Sequence, residues 1–153
     1  MKTVRLESRL AVLAVSMLLA ACAATAPAPD TTGGSAGANP DLTCTISSNC
    51  VNSLGTGGMA PLRYVGVPEQ AMAMLRATLG TFPEASIVRS EPLKIEVGFT
   101  TPAGFRDQVD FRIDPQAQRV DFRSRSLFGV FDWGKNRSRM QEFTARFEQQ
   151  ARR

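Results

Sequence analysis

The chain has no histidine among its 153 residues. That absence removes Ser-His-Asp and Cys-His nucleophilic arrangements, and with them the usual nitrogen ligand of catalytic zinc. No Ser-x-x-Lys occurs, and the part that follows the linker described below contains no Gly-x-Ser-x-Gly, so the common serine-nucleophile motifs are missing there too. Aromatics are sparse at 7%, with one Trp and one Tyr against nine Phe. The longest apolar run, Leu10 to Ala21, falls well short of the ~20 residues that cross a bilayer as a helix.

What that run does carry is an address. It stands behind Lys2, Arg5 and Arg9 and ends in Leu19-Ala20-Ala21-Cys22. A basic start, about a dozen apolar residues and small residues before a cleavage point make a secretory signal, here over residues 1–21. A cysteine directly after those small residues is the thiol that bacteria acylate, so Cys22 is the expected lipidation site and the first residue of the mature chain. Several acyl chains at ~0.8 kcal/mol per buried methylene make such an attachment effectively permanent. Ala23 and Ala24 follow, without the Asp that retains a lipoprotein in an inner membrane. The expected location is the bacterial cell envelope, at the outer membrane facing the periplasm, with the membrane as partner through the N-terminal lipid.

Loss of the signal takes three basic residues and Glu7 from a net charge of +4 and leaves +2. The remaining Arg residues alternate with Asp rather than massing in one block, so nucleic acid is not an expected partner. With Cys22 taken by lipid, Cys44 and Cys50 form an even pair in an oxidising compartment, and a disulfide is the default; free thiols or a metal pair are the alternatives. Two sulfurs without a third ligand make a poor tetrahedral metal site, and no metal or cofactor is expected.

Residues 22–43 are Ala, Pro, Thr, Gly, Ser and Asn with almost nothing large to bury, a flexible linker spanning on the order of 25 Å root-mean-square. Residues 44–61 form a disulfide-bearing loop segment that ends in a turn-rich stretch. Residues 62–153 are long enough for one modest core. There Leu62 to Val65 opens as a short strand, and Pro68 and Glu69 start a helix with Met72, Leu75 and Leu79 on its buried stripe, Ala71 and Met74 beside it. Ser86–Arg89, Ile95/Val97/Phe99, Val109/Phe111/Ile113 and Val120/Phe122 alternate as half-buried strands, the last two joined into a hairpin by Asp114–Gln118. Asp110, Arg112, Arg119, Asp121, Arg123 and Arg125 fall on the outward face. A closing helix carries Met140, Phe143, Phe147 and Ala151 toward the sheet, with Asp132 as its expected cap. The expected fold class is α+β, a two-layer sandwich of an antiparallel meander of about four strands with two helices on one face.

Three stretches, Cys44 to Ser53, Phe105 to Ile113 and Arg123 to Arg139, resemble the signatures of the domain of unknown function 1499 family. The last is the most specific, with Arg123, Ser124, Gly129, Asp132, Gly134, Asn136, Arg137 and Arg139 at the family's spacing. The chain departs from the pattern at Leu127, where a second Ser-Arg pair is common, and at Arg106-Asp107, where paired acids are common. The resemblance brings no activity with it.

The last signature supports two readings of its residues. As an anion site at a helix start, Arg123, Arg137 and Arg139 hold a phosphate or carboxylate of an envelope component, with Ser124 or Ser126 donating. As structure, Asp132 caps the helix and the remaining polar groups tie down the preceding loop. The expected function is a lipid-anchored envelope module that binds or supports a partner without catalysis, the partner being an anionic envelope ligand or a protein. A hydrolase built on Ser124 is the third class.

Overall fold

A computed structural model describes residues 40–55 and 58–152. All its elements lie in one compact unit. The expected signal segment 1–21, the expected lipidation site Cys22 and the expected linker up to residue 39 lie outside the described residues. In chain order the elements are a 3-10 turn (Pro40–Leu42), β1 (Cys50–Asn52), β2 (Leu62–Arg63), α1 (Pro68–Leu79), β3 (Ala85–Glu91), β4 (Lys94–Thr100), β5 (Arg106–Asp114), β6 (Arg119–Ser126) and α2 (Lys135–Ala151).

The fold is α+β, as the periodicities predict. The antiparallel strands form one sheet in the order β1-β6-β5-β4-β3, and β2 pairs with β6 beyond the end of β1. The sheet has six strands rather than about four. The extra pairing comes from the segment 44–61, which is more than a surface loop: Val51 pairs with Ser124 and enters the core. A three-residue strand between turn signals shows too little alternation to be read from sequence.

Alternation fixes the two faces of the sheet. Ile95, Val97 and Phe99, with Val109, Phe111 and Ile113 and with Val120 and Phe122, point to one side and are buried under Leu75 and Leu79 of α1 and Met140, Phe143 and Phe147 of α2. Aromatic rings knit the layers together, with Phe111 and Phe143 centroids 4.9 Å apart and Phe82 set edge-on to Phe99 at 5.9 Å. Leu42 is buried outside this cluster, against β6. On α1 the buried stripe runs through Ala71, Leu75, Thr78 and Leu79, while Met72 and Met74 are only partly covered. At the end of α2 Ala151 is exposed rather than turned toward the sheet. Along β3 nearly every side chain is exposed instead of half-buried, since it is an edge strand with a register shift between Ile87 and Arg89.

The start of α1 shows how local chemistry sets a boundary. Pro68 occupies the first helical position, and Gln70 returns its side-chain oxygen to the Val67 N–H at 3.0 Å. Gly66 turns the chain at φ 109°, and a Cβ there would lie 1.9 Å from the Gln70 oxygen, so any side chain would displace that cap.

Candidate functional site

The hairpin β5–β6 and the first turn of α2 meet at one end of the sheet and enclose polar side chains within the otherwise apolar layer. Asp107 shares the inner face with Val109 and Phe111, and Ser124 and Ser126 share it with Val120 and Phe122, as the period of two requires. Asn136 and Arg139, three residues apart on α2, lie above them. Arg139 Nη2 lies 2.5 Å from Asp107 Oδ2, with both side chains about 95% shielded. Its Nη1 donates to Asn136 Oδ1 at 3.0 Å, and the guanidinium lies 4.7 Å from the centre of the Phe99 ring. Ser126 donates to Asp107 Oδ1 at 2.7 Å, and Ser124 donates to Asn136 Oδ1 at 2.6 Å. The Asn136 amide group donates to Ser126 Oγ, to Asp132 Oδ2 and to the carbonyl of Asn49. Each charge and dipole in the cluster faces a complement, which is what a buried polar network requires.

Asp132 performs the helix-start role from outside the helix. The N-cap position is Gly134, at φ 74°, and Asp132 stands two residues before it. Its carboxylate accepts the N–H groups of Gly134 and Asn136, each at 2.9 Å. Cys44 and Cys50 are joined in a disulfide. The small ring so closed lies against the loop that leads into α2: Ser48 donates its hydroxyl to the Val130 carbonyl, and Asn49 donates to the Gly129 carbonyl at 2.6 Å.

The three sequence signatures therefore converge on one end of the domain. A family model described as a protein of unknown function, DUF1499, matches residues 42–147. The chain belongs to this family. A search of curated proteins finds no significant match.

The DUF1499 signature residues divide between the two sides of the sheet. Arg123 and Ser124 are consecutive on β6, and the pleat sends them to opposite faces. Arg123 is on the outer face, where it pairs with Asp110 at 2.7 Å and donates to the carbonyl of Thr43. Arg137 points away from the cluster and donates to the Gly58 carbonyl at 3.2 Å. Of the candidate anion-binding set, then, Ser124, Ser126 and Arg139 are together and mutually engaged, while Arg123 and Arg137 lie apart from them and from each other. Asp107, the carboxylate at the centre of the DUF1499 cluster, was not among the candidates. Its signal was legible: it continues the inward alternation of Val109, Phe111 and Ile113.

Beside the polar cluster the same end of the DUF1499 domain exposes apolar side chains. Leu127, Phe128, Val130, Phe131 and Trp133 of the β6–α2 loop, and Phe105 before β5, are all exposed. Phe105, Phe128, Phe131 and Trp133 line a depression of about 310 Å³ together with Arg106, Asp107, Ser126 and Lys135. Composition hides this surface, because the same residue types fill the core.

Proposed function

We propose that this chain is a lipid-anchored bacterial envelope protein whose DUF1499 domain is a non-catalytic binding or structural module. The observation that carries the non-catalytic reading is the closure of the polar cluster. Ser126 Oγ donates to Asp107 and accepts from Asn136, and both Asp107 oxygens are engaged, one by Ser126 and the other by the Arg139 guanidinium. Ser124 contacts an amide and a guanidinium rather than a base. A Gly-x-Ser-x-Gly spelling at Gly33–Gly37 lies outside the described residues, within the expected low-complexity linker. Such a network specifies how the β6–α2 loop is held, which suits a domain whose exposed loop does the binding.

Anchoring rests on Leu19-Ala20-Ala21-Cys22 and on the small, polar residues that follow it. The test is metabolic labelling with an alkyne-bearing fatty acid. The parent incorporates label and sediments with membranes, and Cys22→Ser does neither; label retained by Cys22→Ser overturns the anchor. A serine-directed fluorophosphonate probe leaves folded protein unmodified at Ser124 and Ser126, and labelling at either residue overturns the non-catalytic reading.

A further inference from the structure

We infer that the loop Leu127–Trp133 is a second membrane contact, inserting its apolar side chains into the interfacial layer of a bilayer that carries anionic phospholipid. The inference rests on the envelope reading above and adds to it a site in the folded domain.

The loop carries more apolar surface than its fold requires. Trp133 is 90% exposed and Phe128 81%, and Leu127, Val130 and Phe131 are also more than half exposed. Neighbouring Phe105 adds a ring from a different part of the chain. Surface hydrophobics scattered singly need no explanation, but a contiguous group of this kind marks a contact site. The loop also holds a conformation that its sequence does not favour. Trp133 has φ 55°, a left-handed backbone that disfavours a large side chain, although nothing in the core requires a Trp at this position. Its ring stands edge-on to Phe131 at 5.0 Å, so the two aromatics present together.

Two observations choose a bilayer as the occupant. Arg106 and Lys135 line the same depression as the rings and carry no ion pair among the described residues, whereas its two acids are engaged, Asp107 by Arg139 and Asp132 by the N–H groups of Gly134 and Asn136. Aromatic rings flanked by such cations match the layered chemistry of an anionic interface, with acyl chains below and phosphates above. The second is placement. The chain enters the domain at Leu42–Cys44, directly before the disulfide ring whose Ser48 and Asn49 hold the loop. The chain thus enters the domain at the end that carries the aromatics, so the N-terminal anchor proposed above and the loop act on the same membrane.

The experiment uses the chain from residue 22 to residue 153 carrying Cys22→Ser so that no acyl chain contributes, with circular dichroism checking that it is folded; the hydrophobic core of the described residues lies between Val51 and Phe147. Trp133 is the only tryptophan and reports on its own surroundings. With vesicles of phosphatidylcholine and phosphatidylglycerol its emission moves to shorter wavelength, and brominated acyl chains quench it. Phe128→Ser with Val130→Ser weakens partitioning about tenfold or more, and Arg106→Glu with Lys135→Glu removes the preference for anionic over neutral vesicles. Trp133→Gly, followed by vesicle sedimentation, lowers partitioning while the melting temperature stays level or rises, because the left-handed position suits Gly. An emission spectrum unmoved by vesicles overturns the inference. So does a shift that instead follows protein concentration without lipid, which assigns the loop to a second copy. Loss of fatty-acid label at Cys22 bears on the anchor alone, so the two readings fail separately.

Discussion

Removing the Asp107 carboxylate is the most exacting perturbation of the buried cluster. In Asp107→Ala the Arg139 guanidinium keeps Asn136 Oδ1 and the face of Phe99, but its counter-charge 2.5 Å away is gone and water reaches it poorly. Leaving one member of a buried pair uncompensated costs about 3–5 kcal/mol. Ser126 loses its acceptor as well, worth about another 1 kcal/mol. Against a typical domain stability of roughly 5–15 kcal/mol this is a large fraction, and at about 4 °C per kcal/mol it corresponds to a fall in melting temperature of about 16–24 °C for a domain of this size. The assay is urea denaturation followed by far-UV circular dichroism, because the exposed Trp133 is a poor reporter of the core. The double variant Asp107→Leu with Arg139→Met removes both charges and recovers about 2 kcal/mol or more relative to the sum of the single changes. A cost below about 1 kcal/mol for Asp107→Ala, or strict additivity in the double variant, refutes the claim that this pair is buried and mutually dependent.

Phe143 touches Phe82, Phe111 and Phe147 between the two layers, so Phe143→Ala destabilises by about 3–5 kcal/mol, measured by the same urea titration. Asp132→Ala deprives two backbone N–H groups and the Asn136 amide of their acceptor and lowers stability by about 1–2 kcal/mol, with Asp132→Asn recovering part of the loss in thermal melts. At alkaline pH the Tyr64 phenol, raised above its usual 10.0 by burial and then by the charges of Asp114 and Glu69, keeps its proton in the folded chain where the unfolded chain loses it. Its contribution is therefore complete below about pH 10 and declines as pH rises through the folded value, and Tyr64→Phe flattens that limb of a stability-versus-pH curve.

Much of the architecture was legible because its causes are local. The period of two along Val109–Ile113 and Val120–Phe122 follows from the pleat of one strand, and the stripe Met140, Phe143 and Phe147 follows from the turn of one helix. Each reads correctly without knowledge of a neighbour. The short strand β1 was harder, since three residues become a strand only when β6 offers them an edge, whereas β2 was legible from Leu62 and is two residues shorter than the stretch Leu62–Val65 suggests. The site was half legible in the same sense. Arg123 and Ser124 are adjacent in the chain, and joining them in one anion site overlooked the pleat that separates them.

By itself the sequence determined the cysteine pair Cys44 and Cys50, the class of fold and the family signatures, since each is written in composition, spacing or period. Tertiary structure decided that Asp107 meets Arg139, that the disulfide ring holds the β6–α2 loop, and that Phe128 and Trp133 face solvent while Phe111 and Phe143 face the core. The reason is physical: a side chain's type sets what it can bond or bury, but only the packing of distant segments sets whether a partner, a core or open solvent stands in front of it.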